Sequence, residues 1–475
     1  MKHFRLLALL FLLAAVQSIK SQNLLATFTT TTTGQKFSVT MLTLYDTNIK
    51  VDWGTGTPEA ISITTGTTKT VESPNALTGA SSVIKIYADD LYYLAIGGRN
   101  ITNIQFAPST TFKQLIIEQN PITSLNVSML PNLNFLVCSN TSISSIDLSQ
   151  NPELVTFTMS GISNFSSIDL SSNTKLVNLD LNKTKITSLD LSHNTLLKSL
   201  SLSKESTTSD ADKFASLSLS GLTQLESLSC AFNKLTALDL SNSPNLKELV
   251  CGSNRLKSIN LSSSVTELSE FQCENNALTF ATLPRIKKAA NVGNFTYSPQ
   301  DSLVIIPNNE RVCDLSAEYS VTGNNPAELG TTISTFDWRN VTRGVNLTSP
   351  DDYTNANGVF TFTTTNISSS DNIFLRRLRN AAYPGLILAS YQFDFSGSVD
   401  IVGDEYNGYK YTLDGRILSF SEASAVVELY NLSGQKKIEV KSVTSVDLSG
   451  LPAGTYVVYA KSNNGVSLAN KILLR

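Results

Sequence analysis

Residues Leu246–Ser262 read LKELVCGSNRLKSINLS, and the reading of this stretch decides the fold. The same spacing appears just before it, in LESLSCAFNKLTALDLS (Leu225–Ser241), and just after it, in LSEFQCENNALTF (Leu268–Phe280). In each, a cysteine stands two places after a leucine or, in the third, a phenylalanine, and three before an asparagine. Working outward, the first leucine of the unit recurs at Leu91, Phe112, Leu133, Leu154, Leu176, Leu197, Leu225, Leu246 and Leu268. The steps are 21 or 22 residues, except after Leu197, where KESTTSDADK (Lys204–Lys213) is inserted. A fixed period of this size is the mark of a stacked array. Within the unit L-x-x-L-x-[LC] the apolar residues alternate, so they share one face of a short strand. The asparagine that follows marks a bend, where its side chain can bond backbone groups left open by the turn. The second half-unit (LKSINL after LKELVC) repeats the pattern and predicts a return strand. One coil cannot bury its own interior. Stacking covers the open faces, and both ends need caps.

The pattern L-x-x-L-x-[LC]-x-x-N-x-L-x-x-L-x-L, with its nested half-period and LDLSxN second half, resembles the short bacterial form of the leucine-rich repeat family. The likeness spans about 40% of the chain in nine in-phase copies. It implies a β-solenoid whose strand face is the usual binding surface of that family. The sixth place holds Cys138, Cys230, Cys251 and Cys273 where other coils have Ile96, Ile117, Met159, Leu181 and Leu202. The place therefore demands a small or medium apolar group, and the thiols read as interior filler. Stacked parallel side chains suit disulfide geometry poorly, and five cysteines is an odd count.

The flanks complete a mainly β reading. The start MKHFRLLALLFLLAAVQSIKS has a basic end and a short apolar run, which reads as a secretory signal peptide over residues 1–21. Residues 22–88 are rich in Thr, Val and Ile, and DWGTGT (Asp52–Thr57) is similar to a turn signature of small PKD-like β-sandwiches, giving an N-terminal β cap. The solenoid is expected over 89–284. Beyond it, FTYSPQ, STFDWRN, GVFTFTTTN and LILASYQFDFSG predict an immunoglobulin-like sandwich over 285–397, with a linker at 398–408. At 409–475, VVELYNLSGQKKIEV (Val426–Val440) and VDLSGLPAGTYVVYAKSNNG (Val446–Gly465) resemble a type IX secretion C-terminal sorting domain, again a small β-sandwich. That resemblance implies a Bacteroidota-type host, an exported protein at the outer surface, and the sorting machinery as a partner.

Charged residues make up 16% of the chain and the net charge is −3. No basic excess exists to neutralise phosphates, so nucleic acid is not an expected partner. After the signal segment the one histidine is His193, at a bend between coils. No nucleophile elbow, metalloprotease helix or phosphate-binding glycine loop is present, so neither an enzyme nor a cofactor is expected. A binding function is expected on the outward places of the first strand. There Tyr93, Ile116, Phe135 and Val137 form an apolar end, followed by Asn178 and Asp180 and then by serines. The partner is a protein or a glycan. The competing reading is a structural surface-layer or matrix protein without a discrete ligand. The outward column of the second half-unit carries Asp147, Asp169 and Asp190 on consecutive coils. Stacked carboxylates repel one another, and either hydroxyl bonding or a calcium ion would relieve them.

Overall fold

The computed structural model describes residues 23–390 apart from 45–46, 285, 289–293, 304, 306, 309, 323–330, 381–382 and 384–385, and residues 411–474 apart from 415, 432–435, 453 and 463–466. The signal segment and the 398–408 linker lie outside the described residues. The chain divides into two units: residues up to Gln272 with 288–295, and residues 273–287 with the chain from Thr296 onward.

In the first unit, the strands Leu91–Ala95, Gln114–Ile116, Phe135–Val137, Thr156–Thr158, Asn178–Asp180, Ser199–Ser201, Ser227–Ser229, Glu248–Val250 and Glu270–Gln272 follow one another in a parallel sheet. One strand per coil is the leucine-rich-repeat β-solenoid. The register never slips: Leu94, Leu115, Leu136, Phe157, Leu179, Leu200, Leu228, Leu249 and Phe271 pair in sequence. All are buried. Because side chains alternate along a strand, the residues on either side of these point outward. Cys138, Cys230 and Cys251 lie in the interior and none of them is in a disulfide, as the spacing requires.

The return half of the coil departs from expectation. Among the described residues, only Ala237–Leu240 and Ser258–Leu261 pair there with one another, coil to coil, as strands. Elsewhere its apolar residues (Ile122, Leu125, Ile143, Leu148, Ile186, Leu191) are buried, yet the backbone is held by isolated inter-coil bonds such as Ser142 N to Ile122 O at 2.9 Å and Lys185 N to Phe165 O at 2.8 Å. A second set of asparagines replaces the missing ladder. Asn151 Nδ2 donates to Val127 O and Leu130 O, Asn173 Nδ2 to Leu148 O and Asn151 O, and Asn194 Nδ2 to Leu170 O and Asn173 O.

The first asparagine column does what the bend requires. Asn233 Nδ2 donates to Leu202 O, Cys230 O and Ala231 O, while its Oδ1 accepts from Phe214 N. Asn254 repeats this one coil on, with Cys230 O, Cys251 O, Gly252 O and Leu235 N. Threonine is a partial substitute, since Thr141 and Thr184 each reach one carbonyl. The residue just before this column is left-handed in coil after coil: Gly98, Gln119, Asn140, Gly161, Lys183, Phe232 and Ser253 have φ between 53° and 71°. Non-glycine residues there carry strain on the order of 1 kcal/mol each, and the asparagine bonds hold them in place. At Gly161 a Cβ would also fall 2.3 Å from Asn140 Oδ1. Gly161→Ala is expected to cost about 2 kcal/mol in urea unfolding, whereas Gly98→Ala, with its nearest neighbour at 3.7 Å, should cost about 1. Equal costs would remove the steric part of this account.

At the insertion the ninth place is Glu205, and Lys204 turns inward instead. Its Nζ donates to Thr184 O at 2.6 Å and Ile186 O at 2.8 Å and lies 5.1 Å from the centre of the Phe214 ring. Burial pulls this amine down to about 8.

The N-terminal cap adds strands to the solenoid sheet itself. Ser38–Thr43 pairs antiparallel with Leu91–Ala95, and Lys69–Glu72 pairs antiparallel with Ser38–Thr43. A second sheet of five strands includes Leu24–Thr30, flanked by Ser82–Tyr87 and Ile101–Phe106. Thus the return segment of the first coil is a strand of the cap. Phe28, Phe37 and Trp53 form the core between the sheets, with ring centres 5.9 and 6.5 Å apart. In DWGTGT, Asp52 Oδ1 accepts from the N–H groups of Gly54, Thr55 and Gly56, each at 3.0 Å, which closes the turn.

In the second unit two antiparallel sheets face each other. Val312–Asp314, Val359–Phe362 and Tyr353–Ala356 form one, and Thr335–Asn340 with Ile373–Arg379 centre the other. Trp338 meets Phe360 and Phe362 edge-on at 5.2 and 5.1 Å in the core. Phe280 stacks on Tyr383 at 5.6 Å, and the Glu318 carboxylate accepts from Ala281 N at 3.2 Å. The long strands Ile417–Asn431, Lys436–Asp447, Gly454–Ser462 and Ser467–Leu474 make a further antiparallel sheet around Leu418, Val427, Leu429, Val446, Val458 and Ile472. No helix among the described residues is long and apolar enough to cross a membrane.

Candidate functional site

The strand register assigns every outward side chain to one of two rows. Tyr93, Gln114, Phe135, Thr156, Asn178, Ser199, Ser227, Glu248 and Glu270 form the first. The second row is Ala95, Ile116, Val137, Thr158, Asp180, Ser201, Ser229, Val250 and Gln272. The apolar residues singled out by the repeat are therefore split: Tyr93 and Phe135 share the first row with Gln114 between them, and Ile116 and Val137 are direct neighbours in the second. All four are half-buried. The cap lengthens the patch, because Leu42 pairs with Tyr93 and stands on the same face, half-buried as well. Leu42 was invisible to the repeat because it lies outside the leucine period.

Tyr93 is pushed to a higher pKa by burial and by the charge of Glu118. Further along, Asn178 Nδ2 donates to Thr156 Oγ1 at 3.2 Å, joining adjacent strands. The carboxylate of Asp180 accepts from Asn182 N at 2.9 Å, and burial raises its pKa. The next coils present hydroxyls: Ser203 Oγ and Ser229 Oγ lie 2.8 Å apart.

The acidic column of the return segment has a different character. Asp147, Asp169 and Asp190 are exposed, and each Oδ1 accepts from the backbone N–H two residues on (Ser149, Ser171 and Ser192) at 2.9 Å. These backbone bonds, with the hydroxyls of the same serines, hold the three carboxyls below their ordinary range against their mutual repulsion. Asp239 does the same with Ser241. His193 is exposed, bonds Ser192 Oγ at 3.1 Å, and favours the ionised forms of Asp169 and Asp190. Among the described residues no group of three or more His, Cys, Asp or Glu side chains is arranged to hold a metal ion. Titrating the full chain with calcium to millimolar concentration is therefore expected to give only the heat of dilution. Heat abolished in Asp169→Asn would instead establish the column as a calcium site.

No protein-family model and no curated protein matches the chain. Among solved structures it is similar to the functional domain of InlJ from Listeria monocytogenes, which includes a cysteine ladder: 19% identity, 63% of this chain, 61% of that one, TM-score 0.43. It is also similar to an internalin C2 of the same organism, at 19% identity over 43% of this chain and 88% of that one, with a TM-score of 0.30. The leucine-rich repeat domain of APL1B matches at 21% identity over 36% of this chain and 45% of that one, with a TM-score of 0.24. The chain spans about three fifths of the InlJ domain.

Proposed function

We propose that the chain is an exported recognition or adhesion protein that binds a protein or glycan partner through the outward face of its stacked strands. The binding centre is the patch of Tyr93, Ile116, Phe135 and Val137, continued by Asn178 and Asp180. One observation carries the reading: the register sets these apolar side chains on neighbouring strands of one sheet, on its outward face and half open. Apolar groups clustered on such a face favour a partner that covers them. No chemistry is asked of the site. The type IX likeness of the C-terminal segment supports an outer-surface destination and the sorting machinery as a second contact.

The test is a comparison of the full chain with its Tyr93→Ala/Phe135→Ala variant on glycan arrays and on surface-protein extracts, after equal melting curves show that both fold. The reading expects captured ligands to be lost with the two rings. Undiminished capture by the variant would overturn the patch as the binding centre, and capture of nothing by either protein would leave the structural, ligand-free reading in place.

A further inference from the structure

We infer that the partner is a neutral, extended polysaccharide that lies along the solenoid axis, across the strands, with alternate sugar rings stacked on Tyr93 and Phe135. This rests on the strand-face reading and narrows it to one chemical class.

Spacing is the first argument. Tyr93 and Phe135 both pair with Gln114, one from each side, so their rings stand two strand spacings apart, roughly 9.6 Å. In a β-1,4-linked chain of pyranoses each ring advances by close to one strand spacing and successive rings are turned over. Every second ring then offers the same face at the distance that separates the two aromatics. The intervening sugar meets the Gln114 amide, which can both donate and accept. Ile116 and Val137, in the neighbouring row, provide apolar wall for the C–H edges of the same rings.

Polarity is the second. Past Phe135 the first row continues as Thr156, Asn178 and Ser199, one hydroxyl or amide per strand, already linked between Thr156 and Asn178. A polymer with hydroxyls on every unit meets a donor or acceptor at every step.

Charge is the third. Neither row holds a lysine or arginine, and the charged members are Asp180, Glu248 and Glu270, all acidic. Of these only Asp180 lies within two strands of Phe135, so along Tyr93 to Ser199 neither row offers a uronate, sulfated or phosphate-bearing chain a cation to neutralise it. An uncharged glycan needs none.

Calorimetry on the full chain with cellobiose, cellotetraose and cellohexaose, and with the matching mannan and chitin oligomers, tests the proposal. Affinity should rise at least about tenfold from the disaccharide, which reaches one ring, to the tetrasaccharide, which reaches both. It should be unchanged between 0.15 and about 0.5 M salt, since no charge is neutralised. Tyr93→Ala and Phe135→Ala should each cost about tenfold or more, and Ser199→Ala far less. If no neutral β-linked oligosaccharide binds, the glycan proposal is overturned. The broader reading then stands only if a captured protein ligand is lost in the two aromatic variants. Oligosaccharide binding unaffected by those variants would overturn both.

Discussion

Replacing Asn120 by alanine is expected to lower the stability of the solenoid by about 4 kcal/mol, more than removal of any surface ion pair. Asn120 is 2% exposed. Its Nδ2 donates to Ile96 O at 2.8 Å and to Ile117 O and Glu118 O at 3.0 Å. Its Oδ1 accepts from Arg99 N and Ile101 N, both at 3.0 Å. Alanine strands backbone groups of two coils where water has little access, and each such group costs about 1–3 kcal/mol. Asn120→Asp separates this account from simple loss of volume. The aspartate still accepts from the two N–H groups, but at pH 7 it turns an anionic oxygen toward three carbonyls. It should be as harmful as alanine at pH 7 and should recover at pH 4, where the protonated acid donates again. Urea unfolding at both pH values checks this. An aspartate variant as stable as the parent at pH 7 would refute the assignment of donor and acceptor.

The second large effect is alkaline. Burial pushes Cys138 and Cys230 up to about 12, against an ordinary value of 9.0 in the unfolded chain. The folded state holds its thiol protons more tightly, so the stability they allow is fully present below pH 9 and is lost as pH rises from 9 towards 12. At about 1.4 kcal/mol per pH unit, each thiol costs about 2 kcal/mol by pH 10.5, and the pair about 4. Unfolding in urea under nitrogen, at pH 8 and pH 10.5, should show this loss in the parent. It should be smaller by about 4 kcal/mol in a Cys138→Val/Cys230→Val variant, where Cys273 and Cys313, whose thiols burial also raises, still titrate. Lys204 titrates in the same range with the opposite sign, because its depressed folded value makes stability rise from about pH 8 upward. It is present in both proteins, so it drops out of the difference. Equal losses in the two would show that the thiols are not held in a dry interior.

The leucine period was legible because interior packing tolerates few residue types, and a strict phase over nine coils leaves a clear trace. The interior role of the cysteines followed from that phase alone. What escaped reading has physical causes. The left-handed column accepts Gln119, Lys183, Phe232 and Ser253 alike, since the neighbouring asparagine or threonine and the turn impose the φ, and the residue itself carries no signature. Ile101 and Ile104 repeat the apolar alternation of a return segment, yet Ile101–Phe106 joins the cap antiparallel to Leu24–Thr30, because alternation does not encode a partner. The outward apolar patch was legible in the phase of the repeat: Tyr93 and Phe135 stand at its third place and Ile116 and Val137 at its fifth, and the pairing of Gln114 with both Tyr93 and Phe135 gives the same two rows. Leu42 could not be found from the repeat, as it arrives on a cap strand running the other way.

That reversed strand has a consequence for how such an array stays finite. A stack of identical parallel coils ends in an edge able to accept the next coil, including one from another molecule, and so carries the geometry of an open-ended fibre. Ser38–Thr43 meets that edge with opposite polarity, and beyond it the short Lys69–Glu72 strand ends the sheet with a charge of each sign. Coils can therefore be gained or lost inside the array over evolutionary time while this terminus stays closed to polymerisation.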